Sequence, residues 1–149
     1  MTFRPFNVII QQAAGSSNAT KTTLVNATGS SIAAITPVRV NSNGEMQTID
    51  VSVDTSALSV VGLTIAVVPN ATAGEVITQG RLLDVTTAFS VGDYVYVSKT
   101  GILTNVLPTN GSNGFVDGDF IIRIGVVAKN ELDANKKDLF ISLSVAGQM

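Results

Sequence analysis

Three chemically distinctive residue types are missing from this chain of 149 residues, which contains no cysteine, no histidine and no tryptophan. Without cysteine there are no disulfides, thiolate nucleophiles or cysteine-bound metals. Without histidine there is no serine–histidine–aspartate triad and no imidazole to bind zinc or transfer protons. We therefore expect no cofactor and no metal site, and we expect stability to come from packing or assembly.

Charged residues are also scarce, at 13% of the chain with a formal net charge of −2, whereas ordinary soluble domains carry about 25%. A chain without a basic stripe cannot bind nucleic acid by displacing counterions from phosphates, so we expect no nucleic-acid partner. Low charge suits a surface that lies against other subunits, because charged groups are depleted at the centre of an interface. A β core rich in valine and alanine produces the same composition, so both interpretations stay open.

Long apolar runs are absent as well, since none approaches the roughly 18 residues that a membrane helix needs. The longest run, residues 60–68, is interrupted by Gly62 and Thr64. At the N-terminus, one cation precedes a short apolar patch that Pro5 and Asn7 interrupt, which makes a poor secretion signal. We therefore expect no membrane partner and no cleaved leader peptide.

From Thr23 onward, short apolar stretches alternate with turn residues about every 8 to 12 residues, which is typical of an all-β barrel or sandwich. Residues 24–149 are predicted to form a single all-β domain, either a small β-barrel or a β-sandwich, preceded by an extended N-terminal arm, residues 1–23. Only residues 54–58 suggest a helical turn, with Asp54 as its cap. The predicted strands are residues 36–41, 46–51, 60–68, 75–78, 81–85, 93–98, 102–106, 120–128 and 138–145.

The second half of the domain repeats the first. The repeated pairs are residues 37–46 with 93–103 and residues 61–70 with 121–130. Pairing Val40 with Val97 gives an offset of 57 residues, and pairing Ala66 with Gly125 gives 59. Two quasi-repeated hairpin units predict a pseudo-twofold domain in which each copy covers the apolar face and open edge of the other. Gly62 and Gly125 interrupt predicted strands, where glycine marks a bulge or a close backbone approach.

The N-terminal arm lies outside the repeat and carries an apolar patch of its own. Its apolar residues are Phe3, Phe6, Val8, Ile9 and Ile10. The polar residues 11–18 follow and form a flexible tether, which lets the patch reach either the body of the same chain or a neighbouring subunit. Because so small a patch cannot bury itself, we expect the arm to dock on one of these two surfaces.

Carboxylates, lysines and hydroxyls are the reactive groups that remain. A carboxylate pair is able to cleave a glycosidic bond, but aromatic residues, which form sugar-binding platforms, make up only 5% of the chain. Residues 110–119 gather oxygen donors around glycines, as cation-binding loops do, although Asn and Asp beside Gly form turns more often. The carboxylates considered are Asp50, Asp54, Glu75, Asp84, Asp93, Asp117 and Asp119. We predict that the protein has no catalytic residues and is not an enzyme.

Four stretches follow one another in a characteristic order: residues 33–40, 60–80, 92–103 and 118–127. This order resembles the capsid decoration (cement) proteins and head-fibre base domains of tailed bacteriophages. The resemblance implies a compact β-barrel or β-tulip domain, often trimeric, that binds and does not catalyse. It implies two partners, the major capsid protein and sister subunits of a homotrimer. It also implies a place on the outside of the capsid, after synthesis in the cytoplasm of the bacterial host.

The resemblance further implies a role for the arm, which would tie the subunit to the capsid or to a sister subunit and stabilise contacts between major capsid protein subunits. The candidate partner-binding residues are Phe3, Arg4, Phe6, Val8, Ile9 and Ile10. Many such proteins carry an additional tip domain, and the sequence reaches Met149 without one. We therefore expect a plain cement role.

An alternative interpretation is a tail, collar or head-fibre module that binds a receptor or a glycan. This alternative predicts an exposed aromatic or acidic pocket near Tyr94, Tyr96 or residues 108–119. The position of these residues in the folded chain therefore distinguishes the two interpretations.

Overall fold

A computed structural model of the protein describes residues 19–149. In this part of the chain, nine strands form one antiparallel sheet that curls into a half-barrel, and one short helix accompanies it. The all-β prediction is confirmed, and the architecture is a single curled sheet. The strands are β1 (Thr20–Val25), β2 (Pro37–Val40), β3 (Met46–Thr48), β4 (Val60–Thr64), β5 (Ala73–Val85), β6 (Tyr94–Val97), β7 (Leu103–Thr104), β8 (Phe120–Lys129) and β9 (Lys137–Gln148), and the helix is α1 (Asp54–Ala57).

The strand order shows the duplication. The sheet runs β3-β2-β4-β5-β9-β8-β6-β7, with β1 added on β5. In the first unit, β2 lies between its hairpin partner β3 and the returning strand β4, which then pairs with β5. In the second unit, β6 lies between β7 and β8 in the same way, and β8 pairs with β9. The two units meet where β5 pairs with β9. From this pair outward, the strand order is β5-β4-β2-β3 on one side and β9-β8-β6-β7 on the other, as a pseudo-twofold domain requires.

Two glycines occupy equivalent places in the two units. Val38 of β2 pairs with Gly62 of β4, Val95 of β6 pairs with Gly125 of β8, and the register shifts immediately after both pairs. A Cβ atom at Gly62 would overlap the carbonyl oxygen of Ile77, and one at Gly125 would overlap the backbone of β9 in the same manner. The predicted close backbone approach is therefore confirmed at both positions.

This equivalence corrects the sequence alignment of the repeat. Gly125 corresponds to Gly62, an offset of 63 residues by their numbers, and the pairing of Gly125 with Ala66 is wrong. The connection that precedes β4 comprises residues 49–59, whereas the connection that precedes β8 comprises residues 105–119. The longer second connection increases the offset between equivalent residues that follow it. The apolar pattern alone does not give the size of this increase.

Two apolar clusters pack on opposite faces of the sheet. Val76 and Ile77 are neighbours in β5 but belong to different clusters, because side chains alternate across a strand. The smaller cluster contains Ile32, Val38, Met46, Val68 and Val76. The main core lies on the other face and contains Ile49, Val51, Ala57, Leu63, Ile77, Leu82, Val85, Val95, Val97, Phe115, Phe120, Ile122, Ile124, Val127, Leu139 and Ile141.

Strand β5 is continuous over Ala73–Val85, where the sequence predicted two strands separated at Gly80. The backbone of Gly80 has a φ of +107°, which glycine adopts without a steric penalty. The partner of β5 changes at this residue: β1 pairs with β5 as far as Gln79, and β9 pairs with it from Gly80 onward. The glycine therefore changes the partner of the strand without interrupting it.

Two local predictions also change. The helix cap is Val53, which makes no side-chain capping hydrogen bond, and Asp54 is the first residue of α1, so the predicted Asp54 cap is wrong. Strand β1 begins at Thr20, so the boundary drawn at residue 23 falls inside a strand of the sheet. Within residues 19–149, no helix has the length and hydropathy to cross a membrane.

Candidate functional site

A groove of about 900 Å³ opens directly beside the main core. Three buried core residues, Leu82, Val85 and Leu139, lie at its floor. The partly buried residues Ile35, Ile65, Phe89 and Leu103 form its apolar walls and pack against the same core. We call this feature the groove; its remaining lining residues are Lys21, Ala33, Ala34, Thr36, Glu75, Leu83, Asp84, Thr86, Thr87 and Ile102. The hydrophobic core is therefore continuous with a surface that is open to solvent.

One wall of the groove is held in place by a buried threonine. The Thr64 hydroxyl donates to the carbonyl of Ala33 at 2.8 Å and accepts the amide of Thr36 at 3.0 Å. The amide of Ile35 donates to the Thr64 carbonyl at 2.9 Å. Because each of these polar groups is paired, the segment before β2 holds a fixed position and its Ile35 side chain faces the groove.

Another part of the lining comes from the β6–β7 hairpin. Its turn is closed by the Ser98 amide, which donates to the Ile102 carbonyl at 2.7 Å, and by the Gly101 amide, which donates to the Ser98 carbonyl at 2.9 Å. Gly101 has a φ of +83°, and a Cβ atom there would lie 2.7 Å from the carbonyl oxygen of Ile49. Glycine at this position thus lets the second-unit hairpin lie against the first unit and places Ile102 at the groove.

Few charged side chains line the groove. Lys21 Nζ lies 3.9 Å from Glu75 Oε2, in a pair that is open to solvent, and the Asp84 carboxylate accepts a hydrogen bond from Asn130 at 2.7 Å. Such a surface, largely apolar with polar groups at its rim, suits the binding of an apolar group.

A polar cluster around the buried side chains of Asn130 and Asp138 adjoins the groove at Asp84. Arg81 Nε donates to the Asp138 carboxylate at 2.7 Å and Arg81 Nη2 to the Lys129 carbonyl at 2.8 Å. Asn130 Nδ2 donates to both Asp84 and Asp138. Asp84 has a φ of +61° within a register shift between β5 and β9. The cluster therefore fixes the irregular part of β5 that lines the groove.

The acidic loop that the sequence indicated, residues 108–119, is a structural element of the second unit. Phe115 inserts from this loop into the main core and is 2% exposed. Asn110 Nδ2 donates to Asp117 Oδ1 at 3.0 Å, and the Gly111 amide donates to the Phe115 carbonyl at 2.8 Å. Across residues 19–149, no group of three or more histidine, cysteine, aspartate or glutamate side chains is arranged to hold a metal ion. The contacts of the loop are those of a folded turn.

Asp119, at the end of this loop, is 1% exposed and forms an ion pair. Its Oδ2 atom accepts hydrogen bonds from Lys99 Nζ at 2.7 Å and from the Val116 amide at 2.9 Å. Burial raises the pKa of Asp119, but these two hydrogen bonds and the charge of Lys99 outweigh it and hold the pKa below the ordinary value of 3.8. An ionised, paired carboxylate of this kind joins the loop to the β6–β7 hairpin.

Two further carboxylates are held ionised by neighbouring donors. Hydrogen bonds from the hydroxyl and the amide of Ser52 lower the pKa of Asp50. Hydrogen bonds from the Asn105 side chain and the Ser90 amide lower the pKa of Asp93. A general acid needs a raised pKa to carry a proton near neutral pH, so these groups are poorly suited to that role.

The outer face of the second unit carries the exposed aromatic residues of the described part of the chain. Tyr94 is 53% exposed, and the guanidinium of Arg123 lies 5.3 Å from the centre of its ring. The guanidinium of Arg81 lies 4.8 Å from the ring centre of Phe140. Tyr96, in contrast, is 9% exposed. Of the two tyrosines that the glycan-binding alternative names, Tyr94 is therefore the exposed one.

The predicted partner-binding residues Phe3, Arg4, Phe6, Val8, Ile9 and Ile10 lie outside the described residues. The described chain begins at Ala19, which packs against the main core, and Lys21 lines the groove two residues later. The groove itself was not predicted from the sequence. Its only sequence signal is an apolar residue, Phe89, in a connecting segment.

No protein-family model matches the sequence, and no curated protein matches it. The half-barrel, its groove and its outer face therefore carry the functional interpretation.

Proposed function

We propose that the chain is a structural virion protein, a capsid decoration or cement protein that binds the outer surface of a phage head. The groove supports this proposal, because it leaves apolar core surface open to solvent on a body that carries little charge. Covering such a surface contributes roughly 25 cal/mol per Å² of apolar area before the entropy of association is subtracted. Binding of this kind would stabilise contacts between major capsid protein subunits.

The proposal includes the partners and the location that the resemblance implies. The partners are the major capsid protein and sister subunits in a homotrimer, without nucleic acid or a membrane. The location is the exterior of the virion, after synthesis in the bacterial cytoplasm. The contact with the capsid or with a sister subunit is assigned to the arm residues Phe3, Arg4, Phe6, Val8, Ile9 and Ile10.

We also propose that the protein is not an enzyme. The lowered pKa values of Asp50, Asp93 and Asp119 support this, since each carboxylate is engaged by donors of the protein itself. The carboxylates that the sequence singled out in the 108–119 loop, Asp117 and Asp119, bind Asn110 and Lys99 respectively. We therefore expect that replacing these two aspartates abolishes no enzymatic turnover.

The experiment that tests the function combines solution mass with copy number in the particle. Native mass spectrometry of the purified protein is expected to give a trimer. Quantitative mass spectrometry of purified phage particles encoding the chain is expected to give many copies per head, in a fixed ratio to the major capsid protein. A chain that is absent from intact particles would overturn the proposal.

Removal of residues 1–18 tests the arm. The shortened body is expected to keep its far-ultraviolet circular dichroism spectrum and to lose co-sedimentation with heads that lack the protein. Unchanged co-sedimentation would show that the arm does not make the capsid contact.

A receptor- or glycan-binding module of a tail, collar or head fibre is the second candidate. Tyr94 and Phe140 favour it, because both aromatic rings are exposed and an exposed ring is a surface on which the apolar face of a sugar packs. Cryo-electron microscopy of particles would place the protein on the tail or collar under this proposal and on the head faces under the first. A glycan array with the wild-type protein and Tyr94→Ala would then measure the role of the Tyr94 ring.

A further inference from the structure

We propose that the groove is the docking site for the apolar segment of residues 3–10 of the same chain. The proposal concerns the free subunit and does not depend on the virion role; on a capsid, the arm would leave the groove to make the contact assigned to it above. The groove exposes side chains that belong to the core, since Phe89 and Leu103 pack against core residues while also lining open space. Ile102, at the same wall, is 57% exposed. Removal of this surface from water is favourable in proportion to the area covered.

The connection between segment and groove has the right length. Residues 11–18 separate the apolar segment from Ala19, which already packs against the main core. Lys21, two residues further on, lines the groove. Eight tether residues span at most about 29 Å when extended and roughly 15 Å as a flexible chain. Residues 3–10 of the same chain therefore reach the groove without strain, at an effective concentration in the millimolar range.

The chemistry of the segment matches the lining. Five of its residues are large and apolar, namely Phe3, Phe6, Val8, Ile9 and Ile10, and the groove presents aliphatic and aromatic walls. The one charged residue of the segment is Arg4. The rim of the groove carries two carboxylates, Glu75 and Asp84, against one ammonium, Lys21. Occupation by an apolar segment with a single cation therefore complements both the floor and the rim.

A pair of introduced cysteines tests the position directly, because the wild-type chain contains no cysteine. The test protein carries Phe6→Cys with Ile102→Cys at the groove. The control carries Phe6→Cys with Leu132→Cys, since Leu132 is 92% exposed and lies outside the groove. Under mild oxidation of dilute protein, the intrachain disulfide is expected to form about tenfold faster in the test protein than in the control.

Each outcome of the cysteine experiment decides the proposal. A monomeric product, with the mass of one chain and loss of both thiols, supports it. Equal rates for the two pairs would overturn it, because the segment would then have no preferred position. A product that joins two chains would also overturn it and would make a second copy the occupant of the groove.

A fluorescence measurement gives an independent test, because the chain has no tryptophan. The single tryptophan of Phe6→Trp is expected to emit at shorter wavelength when it is buried in the groove. Adding Ile102→Asp should shift that emission to longer wavelength, and adding Leu132→Asp should not. Both aspartates replace exposed residues, and circular dichroism checks that the body stays folded. An emission spectrum that Ile102→Asp leaves unchanged would contradict the proposal.

Discussion

The two repeat units share one backbone plan and differ in what covers their outer faces. In the first unit, the small cluster around Met46 and Val68 covers the face opposite the main core. In the second unit, the corresponding face carries exposed Tyr94 and Phe140 with guanidinium groups against their rings. Duplication thus repeats the strand pairing and the glycine positions, whereas the connecting segments decide which face remains free to bind a partner.

The units also differ in the connection that precedes the returning strand, which is β4 in the first unit and β8 in the second. The first unit uses the short helix α1, whose Ala57 joins the main core. The second unit uses the 108–119 loop, which inserts Phe115 and pairs Asp119 with Lys99. The second unit therefore depends on one large side chain and one ion pair where the first depends on a helical turn.

Of the substitutions that test this comparison, Phe115→Ala is expected to have the largest effect on stability. Loss of a buried phenylalanine costs about 4 kcal/mol of the free energy of unfolding, because the cavity lies in the core shared by both units. The matched control is Val116→Ala, at an exposed position, where the change should stay within about 0.5 kcal/mol. Urea denaturation measures both variants. A cost for Phe115→Ala as small as that of the control would show that the loop does not close the second unit.

Gly62→Ala and Gly125→Ala test whether the units are equivalent. Each added methyl group meets a backbone carbonyl oxygen of the neighbouring strand, and the forced shift is expected to cost about 3 kcal/mol. Gly147→Ala in β9 is the control, because a Cβ atom there has nothing within 4 Å. Urea denaturation of the three variants gives the costs. A large cost at one glycine and none at the other would break the structural correspondence of the repeats.

Lys99→Met tests the ion pair that only the second unit has. Its loss leaves the buried Asp119 carboxylate with the Val116 amide as its remaining donor. We expect a cost of about 2 kcal/mol at neutral pH, below the usual figure for a buried pair, because Lys99 is partly exposed. Thermal unfolding at pH 7 compares it with Lys129→Met, whose partner Glu131 is exposed. Equal melting temperatures for the two variants would remove this difference between the units.

The same pair predicts a dependence of stability on acid. Because the pKa of Asp119 is below its ordinary value of 3.8 in the folded state, its contribution is complete above that value and is lost as the pH falls through the lower folded pKa. Asp119→Asn should therefore flatten the acid side of the stability profile. Asp50 and Asp93 contribute with the same sign, so the difference between wild type and variant is the quantity to measure. Parallel profiles would contradict the assignment.

Tyr94→Leu is expected to have the smallest effect on stability. It removes the contact between the ring and the Arg123 guanidinium on the open face of the second unit, which contributes about 0.5 kcal/mol at an exposed site. Differential scanning calorimetry should show a melting temperature close to that of the wild type. A loss several times larger would mean that this face is part of the stabilising structure and that both units are covered alike.

The groove illustrates what pattern reasoning misses. Its walls come from residues 33–36, residues 82–89 and residues 102–103, which belong partly to strands and partly to connections, and no segment read alone indicates that the three meet. The segment before β2 takes its place because the buried hydroxyl of Thr64 pairs with it. A threonine inside a strand gives no sign in the sequence that it will bind a segment of backbone 31 residues away.

Local patterns by themselves determined the all-β class, the duplication and the close approach at Gly62 and Gly125, because alternation, turn residues and strand glycines act over a few residues. The tertiary structure decided the alignment of the second unit, the pairing of Asp119 with Lys99 and the existence of the groove. These features depend on distances between segments that are far apart in the sequence. Such distances arise only when the curled sheet brings β5, β9 and the β6–β7 hairpin around one core.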